Sequence, residues 1–341
     1  MSVMLIERVE AGRVLAREEA EGLMEELLTG RVPTPEIVRL LTALNQRPIQ
    51  AQELAGFAQV MRRHAARVFA EGEPRPSKMV DTCGTGGDGL GTFNISTAAA
   101  IVSAAAGAYV AKHGNRAASS QSGSADVLEA LGVRIDLPFE RYGQAIREIG
   151  IGFLFAQAAH TATRHATPAR KQIGARTVFN LLGPLTNPAG AQAQVVGVFS
   201  RQVVDLVAGA LAELGTEHAF VIHGAGGLDE ISLVGETVVA EVCGGVVRKS
   251  SVTPEEFSVK RAPMDAIRGG TAAENAAIIR QIFAGETGPR RDIVVINAAA
   301  ALVAAGVAAN FREGAEIADE AVSSGAAAEK LTNLKGFTDV G

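Results

Sequence analysis

Cysteine and long apolar runs are scarce in this chain, and each scarcity excludes a class of protein. The 341 residues include two cysteines, Cys83 and Cys243, with no C-x-x-C pair, so neither a disulfide framework nor a zinc site is encoded. Apolar stretches such as 98–111 and 293–309 are interrupted before about 18 residues, which argues against a membrane-spanning helix. We therefore expect a protein of the reducing cytoplasm that does not associate with membranes.

Positive charge is also limited. Lys and Arg number 32 against 37 Asp and Glu, which gives a formal net charge of -5. Proteins that bind nucleic acid neutralise phosphates with clustered basic residues, and no such stripe is present. Composition therefore argues against a DNA or RNA partner, while 47% hydrophobic residues can build a sizeable core.

Two hydrophobic patterns divide the chain. Over 1–72 apolar residues recur at helical spacing, as in 37–44, which predicts a small helical domain. A polar segment rich in Pro and Gly at 71–76 indicates a linker. Beyond it, short apolar runs alternate with alanine-rich segments, which predicts a large α/β domain with a central, mostly parallel sheet flanked by helices. The predicted strands include residues 79–80, 109–111, 153–155, 194–199, 218–222 and 238–242.

A glycine-rich segment is the first candidate site. Residues 81–89 read Asp-Thr-Cys-Gly-Thr-Gly-Gly-Asp-Gly directly after a predicted strand. Glycines let backbone N–H groups converge on an anion. The segment also matches G-x-G-x-x-G, but no acidic residue occurs from Gly89 to Ala125 to hold a ribose, and no Gly-Lys-Ser/Thr follows. An anion site and an ordinary tight turn both remain open.

Polar and cationic residues fill the same acid-free stretch. Residues 93–97 start a predicted helix, whose N-terminus favours a phosphate, although Ser96 or Thr97 could equally be a plain helix cap. Residues 112–124 follow the next predicted strand and combine Lys, His and Arg with hydroxyl groups. Because turns after neighbouring parallel strands face one crevice, the sequence predicts a polyanion site there.

Two further clusters suggest a metal site and a carboxylate site. Asp229 and Glu230 are adjacent in a glycine-rich turn and could ligate Mg²⁺, which shares oxygen ligands with substrate phosphates. An ordinary acidic turn is the alternative, and acid–base catalysis is disfavoured because adjacency gives both carboxylates similar environments. The basic stretch 164–171 could bind a carboxylate through arginine or form a solvated helix face.

In combination, these motifs resemble the anthranilate phosphoribosyltransferases of tryptophan biosynthesis. The family implies a fold like that of the pyrimidine nucleoside phosphorylases, in which residues near 166–185 join the helical domain 1–72. The α/β domain would then comprise 73–165 and 186–341, and the helical domain would form a homodimer. The resemblance is carried, in matching order and spacing, by residues 84–88, 94–97, 112–117, 122–132, 180–188 and 227–230, and extends to 15–20, 288–292 and 297–299.

The resemblance also implies a reaction. The 5-phosphoribosyl group of phosphoribosyl pyrophosphate passes to the amine of anthranilate, giving N-(5-phosphoribosyl)anthranilate and pyrophosphate, with two Mg²⁺ ions per site and no assigned acid or base. Ser96, Asp229 and Glu230 are expected to ligate the metal. The residues expected to contact anthranilate are Gly84, Asn115 and Arg170. Those expected to hold phosphoribosyl pyrophosphate are Gly84, Gly87, Asp88, Thr92, Asn94, Ile95, Ser96, Thr97, Lys112, His113, Gly114, Asn115, Arg116, Ala117, Ala118, Ser119, Ser120 and Ser124.

The sequence departs from the family pattern at Gln157 and Thr161, where the family commonly has proline, and this bears on the shape of the acceptor channel. Two other functions stay open. A relative of the pyrimidine nucleoside phosphorylases would share the fold and cleave at the same ribose carbon, but leaves the Asp229–Glu230 pair without a clear purpose. A non-catalytic phosphoribosyl or nucleotide sensor would keep the anion loops, but has little need of both metal and acceptor groups.

Overall fold

Four amphipathic helices form the N-terminal part of the molecule. In the computed structural model, which describes residues 2–117 and 121–339, apolar positions at helical spacing bury one face of each helix. The small helical domain expected from this spacing is confirmed, whereas its boundary at residue 72 stays a prediction. The helices are α1 (Ser2–Glu10), α2 (Arg17–Leu28), α3 (Thr34–Asn45) and α4 (Ala51–Arg63).

A seven-stranded sheet follows, with the order β3-β2-β1-β4-β5-β6-β7. Strands β1 to β5 are parallel, while β6 and β7 are antiparallel to their neighbours, so the expected mostly parallel sheet is confirmed. Each predicted strand is present, and β7 is an addition. The strands are β1 (Val80–Asp81), β2 (Val110–Gly114), β3 (Ile151–Phe155), β4 (Ala193–Gly197), β5 (His218–His223), β6 (Thr237–Cys243) and β7 (Val246–Val252).

Helices cover both faces of this sheet, as expected for an α/β domain. Among the described residues, no helix combines the length and the apolar character needed to cross a bilayer. The helices are α5 (Ile95–Ala105), α6 (Ser124–Leu131), α7 (Phe139–Ile149), α8 (Ala156–Ala159), α9 (Thr167–Ile173), α10 (Phe179–Leu182), α11 (Val204–Glu213), α12 (Ala272–Phe283), α13 (Pro289–Ala304), α14 (Phe311–Ser323) and α15 (Ala326–Asp339). Short 3₁₀ helices occupy Thr161–His165, Gly183–Leu185, Arg201–Val203, Pro254–Phe257 and Met264–Ile267.

Alternate side chains of the strands supply separate hydrophobic clusters. One cluster contains Val195 and Ile222 and packs against α5, α6 and α12 to α15. Another contains Val196 and Val221 and packs against α11 and the four N-terminal helices. Residues of the segment 166–185 belong to this second cluster, so that segment packs with the helical part. Its assignment to the helical domain as a unit stays a prediction.

Strand order positions the candidate site. Because β1 to β5 are parallel, the segments that follow them leave the sheet at one edge. The chain places β2 on one side of β1 and β4 on the other, which makes a topological switch point beside β1. Open α/β sheets bind ligands in the crevice at such a point. The described segments that meet at this edge are residues 82–94, 115–117, 121–123, 198–200 and 224–230.

Candidate active site

The glycine segment, residues 82–91, crosses the end of β1 and is anchored to the end of β4. Thr85 donates its backbone N–H to the Gly197 carbonyl at 2.8 Å, and its hydroxyl accepts the Phe199 N–H at 3.0 Å. A Cβ on Gly84 would lie 2.9 Å from the Gly197 carbonyl oxygen and 3.5 Å from Oδ2 of Asp229. Close approach of the two backbones therefore requires glycine here and places the segment beside Asp229.

The N-terminus of α5 meets the carboxylate of Glu230. Ser96, the second residue of the helix, donates its backbone N–H to Glu230 Oε1 at 3.1 Å. The helix dipole and the free N–H groups of a first turn favour negative charge at this position. Because the helix begins at Ile95, the interpretation of Ser96 or Thr97 as its cap is wrong. The helix terminus thus holds a carboxylate from a distant turn.

The loop after β2 closes onto the start of α5. Asn94 donates its side-chain amide to the Ser122 carbonyl at 3.1 Å, and the Ser122 hydroxyl donates to Asn94 Oδ1 at 3.0 Å. Ser124 Oγ accepts the backbone N–H of Asn115 at 3.1 Å. The two polar segments singled out in the sequence therefore touch one another. Of the residues expected to bind the donor, Ala118, Ser119 and Ser120 lie outside the described residues.

Lys112 provides a buried cation among these segments. Its side chain leaves β2 with only 4% of the residue exposed, and Nζ donates to the Thr82 carbonyl at 3.0 Å. Burial raises the pKa of Asp81 to about 6 and the pKa of Glu230 well above its usual range, and the charge of Lys112 opposes both shifts. Lys112 is therefore within electrostatic reach of Glu230.

Asp88, Asp229 and Glu230 form a carboxylate cluster. Burial, reinforced by the negative charge of Asp88, raises the pKa of Asp229 to about 7, and burial and Asp229 together raise the pKa of Glu230. Asp88 Oδ1 accepts the Leu90 N–H at 3.1 Å, which holds this carboxylate within the glycine segment. Carboxylates that repel one another fit a divalent cation with oxygen ligands, so this donor set suits Mg²⁺.

Arg170 lies in α9, within the segment that packs with the helical part. Its guanidinium carbon is 5.2 Å from the ring centroid of Phe179. Burial lowers the pKa of Arg170, and no charged neighbour in the described structure contributes to that shift. A cation without a neutralising carboxylate is suited to a carboxylate ligand, for which the guanidinium geometry is favourable.

Comparison with known proteins assigns the chain to a family. A model described as the glycosyl transferase family helical bundle domain matches residues 3–65, and one described as the glycosyl transferase family a/b domain matches 76–328. The anthranilate phosphoribosyltransferase of Pelotomaculum thermopropionicum is 51% identical over 333 residues, which cover 98% of this chain and 95% of that protein. The chain belongs to the anthranilate phosphoribosyltransferase family.

Solved structures of anthranilate phosphoribosyltransferases share the fold over nearly the whole chain. The crystal structure from Thermus thermophilus has a TM-score of 0.92 and 46% identity, covering 98% of this chain and 99% of that one. The Saccharomyces cerevisiae protein in complex with PRPP and Mg has a TM-score of 0.84 and 26% identity, covering 95% and 94%. The helical part followed by a mostly parallel α/β sheet is thus the architecture of the family.

Some residues expected from the family resemblance to bind the donor have their side chains engaged elsewhere. The guanidinium of Arg116 donates to Asp126 at 3.0 Å and to Glu129 at 2.9 Å, so two carboxylates compensate its charge. Ile95 is 1% exposed and packs in the core, and its backbone N–H donates to the Phe93 carbonyl at 2.7 Å. Thr92 pairs with Arg268 in an isolated bridge. Their roles stay predictions.

Two residues contribute to the site without a predicted role: Asp81, the first residue of the quoted segment 81–89, and Arg176, which the sequence did not single out. The fully buried Asp81 carboxylate accepts the backbone N–H of His113 at 3.0 Å and the side-chain amide of Asn187 at 2.7 Å. Asp81 thereby connects β2, at the residue next to Lys112, to the loop that contains Asn187. Arg176 donates to the Gly87 carbonyl. Two features of the sequence could have pointed to these residues: Asp81 is an acidic residue at the end of an apolar strand, and Arg176 is a further arginine beyond the basic stretch 164–171.

Proposed function

We propose that the chain is a cytoplasmic enzyme that transfers the 5-phosphoribosyl group of phosphoribosyl pyrophosphate to the amine of anthranilate, releasing pyrophosphate. The observation that carries the proposal is the meeting of the glycine segment, the α5 N-terminus and the Asp88–Asp229–Glu230 cluster at one sheet edge. Backbone N–H groups, a buried lysine and a carboxylate set are together the chemistry that a magnesium-bound pyrophosphate requires.

The donor is proposed to lie along the glycine segment and the first turn of α5. When the bond between ribose C1 and the pyrophosphate oxygen breaks, its electron pair leaves with pyrophosphate. Lys112 is held by its bond to the Thr82 carbonyl before this charge develops, so it stabilises the charge without reorganisation. Positive charge develops on the ribose at the same time.

Ser96, Asp229 and Glu230 are proposed to hold two Mg²⁺ ions beside Asp88. When bound, the ions supply positive charge to the pyrophosphate oxygens and so stabilise the leaving group. The chain holds the carboxylates in advance, because the Ser96 N–H fixes one oxygen of Glu230 and the Gly84–Gly197 contact adjoins Asp229. Such pre-arrangement lowers the entropic cost of assembling the site.

Arg170 is proposed to bind the anthranilate carboxylate, with Asn115 and Gly84 contacting the acceptor. The amine nitrogen forms the new bond to ribose C1 and loses one proton, for which we assign no protein base. Orientation is the contribution of the protein to this half of the reaction, since the developing positive charge makes C1 a strong electrophile.

The proposal is tested by following anthranilate fluorescence after phosphoribosyl pyrophosphate is added, with and without Mg²⁺. We expect a Mg²⁺-dependent loss of fluorescence. Arg170→Ala should raise the KM for anthranilate by about 10- to 100-fold and leave the KM for the donor nearly unchanged, because a charge-assisted contact is lost only on the acceptor side. Arg201→Ala, which removes an exposed arginine, is the matched control.

Other outcomes would identify the alternatives. No fluorescence change under any condition overturns the proposal, and cleavage of nucleosides by phosphate would then indicate a phosphorylase. Binding of phosphoribosyl pyrophosphate without turnover would indicate a sensor.

A homodimer formed through the helical domain is part of the same proposal. Val3 and Met4 in α1 are 46% and 58% exposed, which leaves two large apolar side chains on the outside of that domain. Light scattering should give twice the mass of one chain, and Met4→Glu should shift the protein toward monomer. A single-chain mass at every concentration would contradict the dimer.

A further inference from the structure

Arg176 connects the helical part of the molecule to the glycine segment. It lies between α9 and α10, and its backbone carbonyl accepts the side-chain amide of Asn45, the last residue of α3, at 2.8 Å. Its guanidinium donates to the carbonyl of Gly87 and lies 4.1 Å from the ring centroid of Phe199. One side chain therefore contacts both the glycine segment and the second residue after the end of β4.

The glycines around the carbonyl that Arg176 holds have few neighbouring atoms. A Cβ built on Gly86, Gly89 or Gly91 would meet nothing within 4 Å, so these positions face open space. At Gly87 the one atom found within that distance is a guanidinium nitrogen of Arg176, at 3.5 Å. The bonds of Thr85 to the end of β4 anchor the segment two residues earlier. At its far end the Gly91 carbonyl accepts the Gly269 N–H at 2.9 Å, and Arg176 supplies a side-chain anchor between these two backbone anchors.

The direction of the held carbonyl matters for an anion. In a trans peptide the carbonyl of Gly87 and the N–H of Asp88 point to opposite sides. A carbonyl bound to Arg176 is turned toward that guanidinium, and the Asp88 N–H consequently points away from it. The contact thus fixes the orientation of the Gly87–Asp88 peptide. If this peptide flipped, a bound anion would face the Gly87 carbonyl oxygen, which repels it, instead of the Asp88 N–H, which can donate to it. The planar guanidinium also stacks on Phe199, which restricts its own freedom.

We propose that Arg176 is a positioning residue for the phosphoribosyl donor. It holds the Gly87 carbonyl so that the glycine segment keeps its anion-binding conformation, and it links that conformation to the helical part through Asn45. Phe199 orients the guanidinium. The inference rests on the proposed function, because it concerns the same donor site.

The experiment compares Arg176→Ala and Arg176→Lys with the unsubstituted protein. Calorimetric titration with phosphoribosyl pyrophosphate and Mg²⁺ should show roughly 10-fold weaker binding for Arg176→Ala, since ordering the segment now costs binding energy. The KM for the donor should rise while the KM for anthranilate changes little. Lysine should restore part of the affinity, because it donates a hydrogen bond but does not stack. Arg201→Ala controls for the lost charge.

Hydrogen exchange gives a readout that does not depend on activity. Peptides covering residues 84–91 should exchange faster in Arg176→Ala, while the thermal midpoint and exchange elsewhere stay close to those of the unsubstituted protein. Unchanged donor affinity together with unchanged exchange over 84–91 overturns the inference. If the unsubstituted protein neither binds the donor nor consumes anthranilate, the proposed function fails, and the exchange comparison still decides whether Arg176 orders the segment.

Discussion

Ser96 donates its backbone N–H to the carboxylate of Glu230 at 3.1 Å, although 134 positions separate the two residues in the chain. The bond joins the first turn of α5 to the turn that follows β5. An anion attracted to a helix N-terminus is normally a ligand or a local cap, whereas here it is a side chain from another strand end. Glu230 is consequently fixed in place by the fold itself.

Replacement of Glu230 by glutamine separates its charge from its hydrogen bond. The amide oxygen of Glu230→Gln can still accept the Ser96 N–H, so the local structure should persist. We expect kcat/KM to fall on the order of 100-fold, because a metal-binding charge is lost. Initial rates measured over a series of Mg²⁺ concentrations should also show a weaker dependence on the metal.

The matched control for this variant is Glu236→Gln, which removes an exposed carboxylate six positions further along the chain. Its rate and its Mg²⁺ dependence should equal those of the unsubstituted protein. If Glu230→Gln behaves in the same way as this control, Glu230 is not a metal ligand.

Gly84→Ala tests the close approach of the glycine segment to β4. The new Cβ would lie 2.9 Å from the Gly197 carbonyl oxygen, so the segment must shift away from the end of β4. We expect about 10-fold weaker donor binding in calorimetry, with a loss of unfolding free energy of only about 1 to 2 kcal/mol, the usual cost of local overpacking. Gly336→Ala is the control, since its Cβ meets nothing within 4 Å. Equal donor affinity in both variants would show that the contact is unimportant.

We expect the buried side chain of His160 to make the folded protein less stable in acid. Burial lowers the pKa of His160 to about 4 from an ordinary value of 6.5, so between these values the unfolded chain binds the proton and the folded chain does not. The unfolding free energy therefore falls as the pH falls through this window, by about 2 kcal/mol at about pH 5 for this residue alone.

The measurement is urea unfolding of the unsubstituted protein and of His160→Gln at about pH 7.5 and about pH 5. Glutamine does not titrate, so the acid-dependent loss should be smaller in the variant by about 2 kcal/mol. Burial holds the pKa of His113 well below its usual value, and His160, 5.2 Å away between ring centroids, lowers that pKa further. Replacing His160 therefore also reduces the contribution of His113, which changes the comparison in the same direction. An identical loss in the two proteins would show that His160 is protonated in the folded state.

Local patterns in the sequence determined much of the fold. Apolar runs marked β1 to β6 because buried strands must present hydrophobic side chains, and helical spacing marked the N-terminal helices. Strand β7 was not predicted. It is an edge strand whose residues 246–251 are mostly exposed, so its sequence does not need a run of apolar residues. The glycine segment, Lys112 and the Asp229–Glu230 pair stood out by residue type alone.

Only the tertiary structure decided which of these groups meet. Strand order and register bring Glu230 to Ser96 and Asn187 to Asp81, and neither pairing follows from any local spacing. The same holds for charge: Arg116 looked like a free cation in an acid-free stretch, but the fold pairs it with carboxylates further along the chain. Hydrogen bonds and ion pairs depend on distances in space. The sequence specifies those distances only through the complete packing of the chain, whereas residue type and period act locally and can be recognised directly.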